Sequence, residues 1–160
     1  MIKTVAKICV ALMLGFVLEA NVQASMFQSV DEKDATLVQE GKDKRYCTRC
    51  GMDLVKFYKT SHASQENGKK FQYCSIHCLA EHLESGAKIE DYKVVDTTSL
   101  KLVDASKAYY VVGSSVHGTM SRVSKYAFLN ESDAKAFQDE NGGEIMSFKE
   151  ALEKAKEDFQ

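Results

Sequence analysis

Residues 67–86 read NGKKFQYCSIHCLAEHLESG, and this stretch decides the fold. Asn67-Gly68 is typical of a two-residue hairpin turn, and Lys69 to Cys74 are predicted to return as the second strand. Ser75 predicts the N-cap of a helix from Ile76 to Glu84, which ends at Gly86. The stretch therefore predicts a hairpin that leads directly into a helix.

Four of the five cysteines lie in two close pairs on either side of this hairpin. Two residues separate Cys47 from Cys50, and three separate Cys74 from Cys78. The residues from Leu54 to Ala63 are predicted to form the first strand of the hairpin. The outline of a treble-clef metal site consists of a turn that carries one cysteine pair, a hairpin, and a second cysteine pair at the start of a helix. The predicted order of elements matches this outline.

The cysteine pairs allow four interpretations. Four thiolates suit a structural zinc site, which is closed and stabilises a small fold. Soft sulfur ligands also select copper(I). In an exported protein the pairs are candidate disulfides, and a Cys-x-x-Cys pair is also a candidate redox centre. The redox interpretation is the weakest, because no thioredoxin-like βαβ pattern precedes Cys47.

Further soft or nitrogen ligands are candidates to complete a metal site. Met52 follows the first cysteine pair, and Met120 lies in a glycine-rich turn that also contains His117. His77 lies between the second pair of cysteines. Each of these residues also has an ordinary structural interpretation, a core thioether for the methionines and a loop or helix position for the histidines. His62 is predicted to be exposed at a polar strand end.

The first 24 residues are predicted to be a secretory signal peptide. Lys3 and Lys7 accompany an apolar run from Ile8 to Leu18, and small residues precede a predicted cleavage site before Ser25. An uncleaved membrane anchor is the alternative. Cys9 follows a poor lipobox, so no lipid anchor is predicted. We therefore expect a periplasmic protein that associates with the membrane only if the signal remains.

The rest of the chain is predicted to contain a tether and two units. Residues 25–45 are polar, which predicts a tether. Residues 46–100 are predicted to form a cysteine-rich metal-binding unit, and residues 101–160 are predicted to form a second unit. The net charge of −2 and the scattered basic residues argue against a nucleic-acid partner. No catalytic triad, phosphate loop or convincing carboxylate pair is present, which predicts a binding protein and not an enzyme.

The second unit repeats the strand–turn–strand–helix order of the first. Strands are predicted from Ala108 to Gly113 and from Tyr126 to Leu129, followed by a helix from Glu131 to Glu140. Ser147 and Glu150 form a capping-box pattern before a last helix that is predicted to end at Phe159. These patterns predict an α+β fold of two similar units.

Several motifs follow one another in a characteristic order: Cys47-x-x-Cys50-Gly51-Met52, Ala108-Tyr109-Tyr110-Val111-Val112-Gly113-Ser114, Gly118-Thr119-Met120, Phe137 and Gly142-Gly143. This order resembles that of the NosL family of nitrous oxide reductase accessory proteins. The resemblance implies a pair of ββαβ units related to organomercurial lyase. It also implies a periplasmic, usually lipid-anchored protein that binds copper(I) and supplies it to nitrous oxide reductase.

Some residues depart from the family pattern. Thr119 and Ser121 replace the usual Pro and Gly around Met120. Cys74 and Cys78 lie outside the pattern and resemble the treble-clef-like TRASH and YHS motifs. We therefore expect a copper(I) carrier with a copper enzyme or a copper transporter as its partner. A structural-zinc module for protein interaction or metal sensing is the alternative.

Overall fold

Within residues 26–158, the protein has a mixed α+β fold with two antiparallel sheets and three α-helices. The computed structural model describes residues 26–158, so the predicted signal peptide lies outside the described residues. The strands are β1 (His62–Glu66), β2 (Lys69–Tyr73), β3 (Glu90–Val95), β4 (Leu102–Asp104), β5 (Tyr109–Val112), β6 (Lys125–Phe128) and β7 (Glu144–Met146). The helices are α1 (Ile76–Glu84), α2 (Glu131–Asn141) and α3 (Phe148–Glu157).

The first sheet has the strand order β2-β1-β3-β4 and contains the predicted hairpin. Asn67 and Gly68 both have positive φ, at 50° and 79°, as a type I′ turn requires. Ser75 is extended, and α1 spans the predicted residues Ile76–Glu84. The local signals around the second cysteine pair therefore predicted this part of the fold correctly.

The second sheet has the strand order β6-β5-β7, and it repeats the arrangement of β2, β1 and β3 in the first. Both groups of three strands have the same order along the chain, which is two strands, a helix and a third strand. In both, the strand that comes first in the chain lies between the other two in the sheet. The predicted capping box of Ser147 and Glu150 begins α3. One core cluster contains Val94 of β3, Leu79 of α1 and Tyr110 of β5, so the two sheets share a hydrophobic core.

The strand predicted from Leu54 to Ala63 was only partly correct. Leu54 and Val55 are buried in a turn, and a 3₁₀ helix at Tyr58–Thr60 precedes β1. His62, predicted to be exposed, is only 1% exposed. Its strand is central, with β2 on one side and β3 on the other, and β3 had not been predicted.

The polar segment before the first cysteine packs against the fold. Gln28 is 6% exposed, although a tether was predicted here. The backbone N–H of Thr36 donates to the Tyr58 hydroxyl at 2.9 Å, and that of Val38 donates to Oε1 of Gln72 at 2.9 Å. These buried polar partners fix the path of the segment across the first unit.

Candidate metal centre

The four cysteines of the two pairs meet in a single cluster. Their sulfur atoms all lie within 4.8 Å of one another. The Sγ of Cys74 lies 3.5 Å from that of Cys50 and 3.8 Å from that of Cys78. The described cysteines are free thiols. Four sulfurs at these separations are a donor set that suits one soft metal ion.

A tight turn presents the first cysteine pair. The backbone N–H of Cys47 donates to the carbonyl of Met52 at 2.8 Å, and that of Gly51 donates to the carbonyl of Cys47 at 2.9 Å. Gly51 has φ of 74°, a left-handed conformation in which glycine has no Cβ penalty. The N–H of Thr48 reaches the carbonyl of Gln72 at 3.0 Å, which ties the turn to β2.

The junction of β2 with α1 presents the second pair. Cys74 directly follows β2, and Cys78 is the third residue of α1. An ion pair at 2.9 Å between Arg49 and Glu81 links the first turn to this helix. The positive end of the helix dipole favours a thiolate in the first turn, but hydrogen bonding to Cys47 and burial outweigh it at Cys78 in the metal-free cluster.

The thiols of the cluster share their protons unequally. Hydrogen bonds from Cys74 and Cys78 hold the pKa of the Cys47 thiol far below its ordinary value. Donating to Cys47 raises the pKa of both Cys74 and Cys78 well above the ordinary range, and burial adds to this shift. The thiols of the cluster therefore lose their protons in separate steps, and a bound metal must displace the protons that remain.

One cysteine of the cluster is more exposed than the other three. Cys47, Cys74 and Cys78 are buried, whereas Cys50 is exposed. A cleft of about 930 Å³ between residues 39–46 and the hairpin turn is also lined by Cys47 and Arg49. A reagent or a partner therefore meets Cys50 before the other three sulfurs.

Cys50 is expected to react with iodoacetamide at least about tenfold faster than the three buried thiols in anaerobic, metal-free protein, because those thiols react only when the fold opens. Quenched time points followed by peptide mass mapping measure the four rates. Labelling in denaturant, where all four thiols should react alike, is the control. Equal rates in the folded protein would contradict this view of the site.

The other candidate ligands lie at different distances from the cluster. Met52 is half-buried, and its Sδ lies 3.9 Å from the Sγ of Cys74. Among the described residues, the group of mutually close ligand atoms contains four sulfurs and no nitrogen of His77 or His117. Met120 is 44% exposed. Metal binding by the four cysteines stays a prediction, as does the role of Met52, Met120, His77 and His117 as further ligands.

A buried hydroxyl network behind the cluster was not predicted from the sequence. The Oγ1 of Thr60 donates to the carbonyl of Cys74 at 2.7 Å and lies 2.8 Å from the Oγ1 of Thr119. The Nδ1 of His62 lies 3.0 Å from the carbonyl of Thr60, and its Nε2 lies 3.1 Å from the Tyr110 hydroxyl. A carbonyl only accepts, so Nδ1 of His62 carries the proton and Nε2 accepts from Tyr110.

A family model described as NosL matches residues 38–155, which contain the four cysteines and both sheets. The chain belongs to the NosL family. A curated NosL relative, "Copper-binding lipoprotein NosL" of Stutzerimonas stutzeri, is 47% identical over 119 residues. This match includes 68% of the chain but only 62% of the relative's length.

A solved NosL structure shares the fold. The crystal structure of the copper chaperone NosL from Shewanella denitrificans matches with a TM-score of 0.55 and 24% sequence identity, over 70% of this chain and 92% of that one. It confirms the expected mixed α+β architecture. The relationship to organomercurial lyase and the unit boundary near residue 100 stay predictions.

The membrane attachment of the NosL relative bears on the predicted N-terminus. The name lipoprotein describes an exported, lipid-bearing protein, so this relative does not support our expectation that no lipobox is present. Within residues 26–158, no helix combines the length and the apolar character that a membrane span needs.

Proposed function

We propose that the chain binds one copper(I) ion through Cys47, Cys50, Cys74 and Cys78 and carries it to another protein in the periplasm. The recipient is a copper enzyme such as nitrous oxide reductase, or a copper transporter that works with it. The protein acts as a carrier and has no catalytic activity. The two NosL relatives, one described as a copper-binding lipoprotein and the other as a copper chaperone, support this proposal.

The observation that carries the proposal is the all-sulfur donor set. Four sulfurs lie within 4.8 Å of one another, and the thioether of Met52 lies 3.9 Å from Cys74. Thiolates and thioethers are soft ligands, which prefer copper(I) to hard cations such as Mg²⁺ or Ca²⁺. Carboxylates are absent from this group of ligand atoms among the described residues, so a hard cation has little to bind here.

The exposure of one sulfur supports transfer by ligand exchange. Copper(I) accepts low coordination numbers, so a sulfur or nitrogen of the partner is able to join the site on the side of Cys50. The bond from copper to Cys50 then breaks, while the buried sulfurs of Cys74 and Cys78 retain the ion until the partner completes its own ligand set. The metal moves without release into water.

Anaerobic titration with copper(I), in competition with a coloured copper(I) chelator, tests this function. We expect about one copper per chain to be withdrawn from the chelator. A thiolate-to-copper absorption in the near ultraviolet should appear at the same time. An acceptor with a free copper(I) site should then take up the metal at a rate that rises with acceptor concentration. Failure of the reduced protein to compete would contradict the proposal.

The burial of Cys47, Cys74 and Cys78 also favours a second candidate, a structural zinc site. A closed four-thiolate site holds zinc tightly and contributes to folding. Elemental analysis of anaerobically purified protein, with a count of free thiols, distinguishes the two. One zinc that a modest chelator does not remove would favour the structural module over the carrier.

A further inference from the structure

A loop of the second unit reaches the cysteine cluster through two buried threonines. Thr119 is 5% exposed and Thr60 is 2% exposed, and their hydroxyl oxygens are 2.8 Å apart although 59 residues separate them. The Thr60 hydroxyl also lies 2.7 Å from the carbonyl oxygen of Cys74 and 3.2 Å from that of Phe57. Each hydroxyl has a single proton. The two short distances are explained if the Thr119 hydroxyl donates to the Thr60 oxygen and the Thr60 hydroxyl donates to the carbonyl of Cys74.

The loop that carries Thr119 is held on its other side as well. The carbonyl of His117 accepts from Nε2 of Gln28 at 2.7 Å and from the Tyr126 hydroxyl at 2.6 Å. A Cβ on Gly118 would lie 2.9 Å from the carbonyl oxygen of Ser121, closer than real Cβ contacts allow. The backbone before Met120 is therefore fixed by hydrogen bonds from two directions and by close packing.

The residue that follows Thr119 is in an uncommon conformation. Met120 has φ of 61°, which non-glycine residues adopt rarely because Cβ crowds the backbone. It also exposes 44% of its surface, so burial of its side chain does not offset the strain. Strain of this kind persists only where the surrounding structure imposes it, and it often occurs at binding sites.

We propose that Thr60 and Thr119 form a latch that holds the Met120 loop beside the cysteine cluster, which makes both threonines positioning residues for metal binding. The inference rests on the proposed function, that the cluster binds copper(I). Without the latch, the loop would occupy its binding-competent position for a smaller fraction of the time. The apparent copper(I) affinity would then fall in proportion to that fraction.

Thr119→Val tests the latch, because valine keeps the shape of threonine and removes the hydroxyl. Thr119→Ser restores the hydroxyl and should behave like the wild type. Thr97→Val is the matched control, since Thr97 is 9% exposed and its hydroxyl has no hydrogen-bond partner among the described residues. Thr60→Val is a second variant that breaks the latch from the other side.

The first readout needs no metal. Amide hydrogen exchange in residues 113–124 should become at least about tenfold faster in Thr119→Val and Thr60→Val, because each loses a bond that holds the loop closed. Exchange should stay unchanged in Thr119→Ser and Thr97→Val. Unchanged exchange in both latch variants would overturn the inference, even if the wild-type protein binds copper(I) as proposed.

The second readout is copper(I) affinity in a double-mutant cycle with Met120→Ala. We expect Thr119→Val and Met120→Ala each to weaken binding about tenfold, the range typical of residues that support metal ligands. Together they should weaken it little more than either alone, because an unlatched Met120 no longer contributes. If the two effects multiply to about 100-fold, Met120 does not depend on the latch and the inference is wrong.

The two readouts separate this inference from the proposed function. If the wild-type protein does not bind copper(I), the proposed function is wrong, and the positioning role falls with it. Faster exchange in the latch variants would then identify a contact that serves only the fold. Faster exchange together with a non-additive cycle supports the latch as a part of the metal site.

Discussion

Replacing Cys74 with serine is expected to weaken copper(I) binding by more than about 100-fold, beyond the loss typical of residues around the ligands. The Cys74 side chain is fully buried, and its sulfur lies 3.5 Å from Cys50, 3.8 Å from Cys78 and 3.9 Å from Met52. Serine places a shorter, hard oxygen at this central position, which copper(I) disfavours. Competition with a copper(I) chelator under anaerobic conditions measures the loss.

Cys50→Ser is the comparison for this prediction. It makes the same sulfur-to-oxygen change at the exposed edge of the cluster, where a small thiol added to the solution has room to replace the lost ligand. We therefore expect a smaller loss of affinity and a partial recovery with added thiol. Retention of affinity within about tenfold in folded Cys74→Ser would show that this sulfur is not a ligand.

The protein is expected to lose about 3 kcal/mol of stability between pH 6.5 and pH 4 through His62 alone. Burial lowers the pKa of His62 from 6.5 to about 4. Between these values the unfolded chain binds a proton that the folded chain excludes. The stabilisation is complete above pH 6.5 and is lost as the pH falls towards 4. Denaturant unfolding across this range measures it.

His62→Gln should flatten this part of the stability profile, although it lowers stability at pH 7 because it disturbs the hydrogen bonds to Tyr110 and Thr60. His82→Gln is the control. The pKa of His82 is also lowered by burial, but this side chain is only partly buried, so its share of the pH dependence should be smaller. An unchanged slope between pH 6.5 and pH 4 in His62→Gln would contradict the assignment.

Local signals predicted the elements that present the cysteines. Asn67-Gly68 and Gly86 have positive φ and turn the chain locally, and Ser75 occupies the N-cap position although its side chain makes no capping hydrogen bond. The run from Leu54 to Val55 misled the strand prediction, because an apolar pair indicates burial and does not distinguish a strand from a turn that faces the core.

The burial of His62 could not be predicted because it depends on β3. That strand covers the second edge of β1, and it is paired through residues about 30 positions further along the chain. A strand with one neighbour and an uncovered face is half-exposed, whereas β1 lies between two strands and its His62 ring packs against Tyr110 of the second sheet. The sequence of β1 alone does not distinguish these situations.

The clustering of the cysteines could be predicted because a cysteine side chain has few roles in proteins. The threonine hydroxyl groups that lie behind the cluster could not be predicted. Thr60 and Thr119 are ordinary residues in sequence, and their contact crosses from one unit to the other. Gln28 reaches His117 across 89 residues. Such contacts leave no periodicity or spacing in the chain, so only the folded structure reveals them.

The exposure of Cys50 also determines how the cluster responds to oxidation. Peroxide would reach Cys50 before the buried three, and attack by the deprotonated Cys50 sulfur on peroxide would give a sulfenic acid, with hydroxide as the leaving group. The Cys74 sulfur, 3.5 Å away, is placed to displace water from that sulfenic acid and form a disulfide. Because a reductant reverses a disulfide but not a sulfinic acid, the crowding of the sulfurs protects the cluster from permanent damage.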